Sequence, residues 1–197
     1  MYKLYGTFTS RAQRVAWMLE EIGAEYEVVA VKQHSPEVLA VNPAGKIPTL
    51  EVDGSILTDS TAIMTFLGDR HEAMTYPAGS VERGRQDAMT CRLNDEFDSV
   101  LWAAMRLTRI VPEELRVPDV VPALHWDFER NLRGLERDFT GPFLLGDRMT
   151  LADILATHCL LWAGLANFPA KSEVFKPYLH EMTARPAYAA ARAKMGG

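Results

Sequence analysis

Asn42-Pro43-Ala44-Gly45-Lys46-Ile47-Pro48-Thr49-Leu50 is the stretch that decides the architecture. Asn-Pro followed by Gly is strong turn punctuation, and Pro48 stands directly before an apolar run of strand type. A proline cannot donate to a strand ladder. Either Pro48 holds the strand's first position, or the Ile47–Pro48 bond is cis and bends the chain sharply. Both alternatives leave Ile47 with backbone groups open to a ligand. Asp53-Gly54 is then the signature of a two-residue hairpin joining 49–52 to 55–57. Immediately afterwards Asp59-Ser60 precedes Ala62, Ile63, Phe66 and Leu67, whose three-four spacing predicts a helix capped at its start and running to about Arg70.

An exposed strand margin, a carboxylate and the N–H groups of a helix N-terminus therefore lie close together. A ligand carrying a peptide unit, an ammonium and a carboxylate finds a partner for each. Taken alone, the stretch is by base rate a hairpin with an ordinary helix cap.

Upstream, Tyr2 to Gly6 alternates like a short strand, and Thr7-Phe8-Thr9-Ser10 is a polar turn before a helix over about 11–22. Val15, Met18, Leu19 and Ile22 form its apolar face, Gly23 ends it, and 26–31 reads as a second strand. A strand, helix, strand order of this length implies a parallel pair with a crossover. A short irregular helix over 35–39 leads into the opening stretch. The order β-α-β-α-β-β-α makes a compact α/β unit.

Past it, 71–80 contains Pro77 and Gly79 and loses periodicity, as a linker does. Strand signals then stop. One long helical pattern covers 81–110, Pro112 and Pro118 break the chain, and a second helix is predicted over about 121–139. Thr150-Leu151-Ala152-Asp153 reads as a capping box, Thr150 capping N–H groups and Asp153 reaching back. It opens a helix to about Ala166 whose all-round apolarity predicts the centre of a helical domain. Helices over about 174–185 and 187–194 close the chain. The predicted domains are 1–75 and 82–197, with 76–81 as linker.

At 197 residues the chain is long enough to bury roughly 70% of its unfolded surface. Its 48% hydrophobic and 24% charged residues and net charge of −5 describe an ordinary globular protein with no general attraction for nucleic acid. No apolar run is long enough to cross a bilayer, and the first residues lack the basic-then-apolar pattern of a leader, so the expected location is cytoplasmic. Cys91 and Cys159 are too few for a disulfide framework or a cysteine zinc site, and both are predicted to be reduced core residues. His71, His125, His158 and His180 share no metal-ligand spacing, so no metal is expected.

The chain resembles the glutathione transferase superfamily, and in particular its serine-type, theta- or nu-like bacterial branches. The resemblance rests on Asn42-Pro43-Ala44-Gly45-Lys46-Ile47-Pro48-Thr49-Leu50, on Asp59-Ser60-Thr61-Ala62-Ile63, and on Gly146-Asp147-Arg148-Met149-Thr150-Leu151-Ala152-Asp153. These lie in both halves of the chain. The resemblance implies an α/β thioredoxin-like N-terminal domain followed by an all-α helical C-terminal domain. It implies glutathione as co-substrate, a small apolar electrophile as acceptor, and a homodimer.

In the family the residue before the cis-proline, here Ile47 before Pro48, pairs its backbone with the cysteinyl part of glutathione. The acidic-serine pair, here Asp59 and Ser60, holds the γ-glutamyl ammonium and carboxylate. Asp59 is one methylene shorter than the family's usual Glu. Gln33-His34 is similar to the Gln-His pair whose histidine contacts the glycine end, and Lys46 can reach the same carboxylate. The thiol-activating position follows the first strand, and Ser10 stands four residues before Arg14, the spacing of the serine-using branches. Thr9 is its rival, because some bacterial members place the active residue one position earlier. Tyr5 lies inside the strand.

Without the resemblance, Ser10 is as well explained as a helix cap, His34 as a surface loop residue and Lys46 as a solvated turn charge. Trp102, Met105 and Trp162 are candidates for lining an apolar pocket, although such residues at helical spacing are usually core. The leading expectation is a transferase that conjugates glutathione thiolate to an apolar electrophile. The alternatives are a glutathione-dependent isomerase, peroxidase or dehalogenase, or a non-catalytic interaction protein of the same fold.

Overall fold

The computed structural model describes all 197 residues and divides into two compact units, Met1–Arg83 with Glu181–Gly197, and Gly84–His180. In the first unit β1 (Tyr2–Tyr5), α1 (Ala12–Glu21), β2 (Tyr26–Val29), α2 (Pro36–Val41), β3 (Thr49–Val52), β4 (Ser55–Thr58) and α3 (Ser60–His71) follow in the predicted order. The sheet runs β2-β1-β3-β4, with β1 and β2 parallel and β3 antiparallel to both its neighbours. Asp53 and Gly54 take φ values of 51° and 74°, the left-handed pair that a tight hairpin needs to match strand twist. Leu4 faces Leu50 in register, and both are fully buried. The segment read as an irregular helix is a regular one, because Ser35 accepts from the Val38 N–H and Pro36 fills the first helical position.

The sequence placed the last helix with 82–197. Instead α9 (Pro186–Lys194) packs on α1. The physical reason is that α1 carries bulky side chains, Trp17 among them, outside its Val15, Met18 and Leu19 face: Ala12 to Leu19 are all buried, so the helix needs cover beyond the sheet and α3. Trp17, fully buried, meets the Tyr188 ring edge-on at 4.9 Å. Its Nε1 donates to Glu21, which also accepts a two-point bond from Arg185, with Nη2 to Oε2 at 2.8 Å. A forked guanidinium–carboxylate pair of this kind fixes orientation as well as attraction.

The second unit begins within α4 (Val81–Leu93), which with α5 (Ser99–Met105) belongs to one helical run, interrupted by π-helical turns at Asn94–Asp98 and Arg106–Ile110. The sequence pattern over 81–110 carries no sign of these interruptions. A π turn carries one extra residue and leaves a carbonyl without its ordinary partner. Asn131, buried on α6 (Val121–Asp138), donates its Nδ2 to the Glu96 carbonyl at 2.9 Å. In α7 (Leu151–Leu165) residues 151–157 are buried, so it forms the core of this unit as its apolarity predicted. After α7 comes α8 (Phe175–Thr183). Cys159 is buried as expected, but Cys91 is exposed, which corrects that expectation. It lies on α4, where Glu82, Arg85, Asp87 and Arg92 leave most of the surface polar. No helix is long and apolar enough to cross a membrane.

Candidate functional site

The sheet register collects three loops at one end. Tyr5, the last residue of β1, pairs with Thr49, the first of β3, and Thr49 pairs with Thr58, the last of β4. Adjacent strands lie about 4.8 Å apart, so the turn after β1, the chain entering β3 and the start of α3 become neighbours. Thr7, Thr9 and Ser10 lie in the first, Lys46, Ile47 and Pro48 in the second, and Asp59 and Ser60 in the third.

The Ile47–Pro48 bond is cis, so the second alternative left open by the sequence is the one adopted. The loop before it is held from inside. Buried Asn42 donates Nδ2 to the Lys46 carbonyl at 3.0 Å and to Thr49 Oγ1 at 3.1 Å, and its Oδ1 accepts from the Ala44 N–H. Thr49 Oγ1 in turn donates to the Lys46 carbonyl at 2.9 Å. The Ile47 backbone takes no part in these bonds. Asn42 and Thr49 thus join the site as loop-holding residues, and the sequence signal for them is the turn chemistry of Asn42-Pro43.

His34 adopts φ 60°, donates its N–H to the Gly45 carbonyl at 2.7 Å, and lays its ring directly on Gly45. A Cβ at residue 45 would lie 2.1 Å from His34 Nδ1, and φ there is +67°, so only glycine fits. His34 and Lys46 are both exposed beside this turn.

Asp59 is exposed and caps α3. Its Oδ1 accepts from the N–H groups of Thr61 at 2.9 Å and Ala62 at 3.1 Å, so the carboxylate's other oxygen lies outside the cap. It does so at φ 69°, ψ 124°. A non-glycine residue in that region costs about 1–3 kcal/mol, and such strain clusters at binding sites. Ser60, 3% exposed, accepts on Oγ from Arg14 Nη1 at 3.3 Å. Arg14, one helical turn after Ser10, is 1% exposed.

Ser10 occupies the cap-like position. Its Oγ donates to the Thr7 carbonyl at 2.8 Å and accepts from the Ala12 N–H at 3.2 Å. Thr9 is exposed, with Oγ1 3.4 Å from Thr7 Oγ1. Gly6 lets these parts meet: a Cβ there would lie 2.3 Å from the Ala12 Cβ, and the same point is within 4 Å of both Ser10 Oγ and the Ile47 side chain. Tyr5 is inside the sheet as read, its hydroxyl donating to Glu51 Oε2 at 3.1 Å. Burial, and then the Glu51 carboxylate, push its phenol above the ordinary value, which makes it a poorer acid. Trp102, Met105 and Trp162 are half-buried in the second unit. No group of three His, Cys, Asp or Glu side chains is placed to hold a metal ion.

Residues 8–70 match the profile "Glutathione S-transferase, N-terminal domain", a span that contains most of these positions. A maleylacetoacetate isomerase of Rhizobium meliloti is 30% identical over 157 residues, covering 74% of this chain and 73% of that protein. Human glutathione S-transferase theta-2B is 31% identical over 147 residues, covering 68% of this chain and 58% of its own length. Among solved structures, a glutathione transferase of Methylococcus capsulatus superposes with a TM-score of 0.81 at 26% identity, covering 100% of this chain and 99% of the other. Fold, domain profile and relatives agree, and this chain belongs to the glutathione S-transferase superfamily.

Proposed function

We propose that the chain is a glutathione transferase that conjugates the thiolate of glutathione to a small apolar electrophile. The observation that carries this reading is the convergence, at one end of the sheet, of the Ile47 backbone before a cis-proline with the Asp59–Ser60 start of α3. Ile47 would pair with the cysteinyl unit, the outward oxygen of Asp59 with the γ-glutamyl ammonium, and Ser60 with its carboxylate. His34 and Lys46 would meet the carboxylate at the glycine end. A homodimer in the cytoplasm belongs to the same proposal.

A free thiol has a pKa of about 8.5, and its thiolate is the nucleophile. Lowering the value by roughly two units makes thiolate dominant at neutral pH, at about 1.4 kcal/mol per unit. One hydroxyl donor and the N-terminal end of α1 supply interactions of that size. Ser10 would turn its hydrogen from the Thr7 carbonyl to the sulfur while Oγ continues to accept from Ala12 N–H, which polarises the hydroxyl and improves it as a donor. Holding sulfur and electrophile together then adds proximity.

Ser10→Ala is expected to raise the pKa of bound glutathione, read from thiolate absorbance against pH, and to lower turnover about 10- to 100-fold with little change in affinity. If both stay put, Ser10 is only a cap, and Thr9→Val is the variant expected to show the loss. A second reading, a glutathione-dependent isomerase, is favoured by the name of the Rhizobium meliloti relative. Parallel assays with an aryl halide, a hydroperoxide and a cis-enone diacid separate the two, since an isomerase returns its glutathione unconsumed.

A further inference from the structure

We infer that Arg14 is a positioning residue that makes Ser60 a dedicated carboxylate donor, so that the site selects the zwitterionic head of its ligand. The inference rests on the glutathione reading and adds to it a group that no ligand touches. A guanidinium has hydrogens and no acceptor, so in the contact between Arg14 Nη1 and Ser60 Oγ at 3.3 Å the arginine must donate. The serine oxygen is thereby used as acceptor and its own hydrogen is directed elsewhere. Thr61 and Ala62 already give their N–H groups to Asp59. Ser60 N–H is then the first helical donor left at the start of α3, and with Oγ–H it forms a two-point site for a carboxylate.

Charge order points the same way. Arg14 is 1% exposed, and its guanidinium lies behind Ser60 at the start of α3, adding its positive potential to that of the helix N-terminus. Asp59 is the exposed negative group on the adjacent residue. Cation, serine donors and carboxylate in sequence match a ligand that presents –COO⁻ and –NH₃⁺ on one carbon. An arginine can hold this arrangement because its flat fork keeps one N–H aimed at Ser60 while the charge stays in the interior.

The test compares glutathione with 4-aminobutyryl-cysteinylglycine, the same peptide without the α-carboxylate, by calorimetry on the full chain. The unaltered chain is expected to prefer glutathione by about 10- to 100-fold, the range of a hydrogen-bonded charged group. Arg14→Met is expected to shrink that preference to within about threefold while leaving affinity for the truncated peptide unchanged. Ser60→Ala should lose the preference to a similar degree, and the double variant should lose no more than either alone. If Arg14→Met does not fold, Arg14→Lys decides: an intermediate preference supports the inference, and a preference equal to that of the unaltered chain overturns it. Equal weakening for both peptides in any Arg14 variant also overturns it, since a merely structural role would act that way. Should the unaltered chain take up neither peptide, the glutathione reading falls and this inference with it. Uptake with an unchanged preference in Arg14→Met refutes the inference alone.

Discussion

Asp153→Ala is expected to cost at least about 4 kcal/mol of stability, enough to leave a typical domain largely unfolded or absent from the soluble fraction. The carboxylate is completely buried and serves four donors. Oδ1 accepts from the Leu144 N–H at 2.9 Å and the Tyr178 hydroxyl at 3.0 Å, and Oδ2 accepts from the Thr150 N–H at 2.8 Å and Thr150 Oγ1 at 3.2 Å. Burial pushes this carboxyl above its ordinary range while those donors pull it down. Removing it strands two backbone N–H groups in the interior, at about 1–3 kcal/mol each, and takes the Asp153 oxygen from Tyr178. The loop from Gly141 to Met149 and the tyrosine of α8 also lose their common anchor. Urea unfolding followed by tryptophan fluorescence measures the effect. A loss below about 1 kcal/mol would mean that the second unit does not depend on the box.

Asp59→Asn is the second substitution with a large expected effect, and it separates binding from folding. Asparagine caps helices as well as aspartate does and tolerates positive φ, so the bonds to Thr61 and Ala62 N–H survive. Only the charge goes. The melting temperature is expected to move by no more than a few degrees, whereas affinity for glutathione should fall about 10- to 100-fold because an ammonium loses its charge-assisted partner. Affinity within twofold of the unaltered chain, measured calorimetrically, would remove Asp59 from the site.

Local chemistry made much of the first unit legible in the sequence. Asp53-Gly54 demands a left-handed turn and takes one, Pro48 cannot extend a ladder and stands just outside it, and Asp59 precedes a three-four pattern and caps it. The Thr150–Asp153 box formed for the same reason: its partners are three residues apart. What was not legible depends on neighbours distant in sequence. Trp17 lies off the α1 face formed by Val15, Met18 and Leu19, yet it is fully buried because Tyr188 covers it from α9. The π turn at Asn94–Asp98 persists with an acceptor of its own used by Asn131, thirty-five positions beyond Glu96. Spacing placed Ser10 and Arg14 together but not their partners. The Thr7 carbonyl that takes the Ser10 hydrogen, and the Ser60 oxygen that receives Arg14, follow from side-chain direction in three dimensions.

Calorimetric titration of the intact chain with glutathione to millimolar concentration at neutral pH, repeated with S-methylglutathione, tests most directly whether a γ-glutamyl tripeptide docks at the end of the sheet beside Pro48. The account expects saturable uptake of one molecule per chain for both peptides, weakened in Asp59→Asn, since docking uses the backbone and charged ends of the peptide. No saturable heat with either peptide, and no protection of the chain against thermal unfolding by millimolar glutathione, would contradict it.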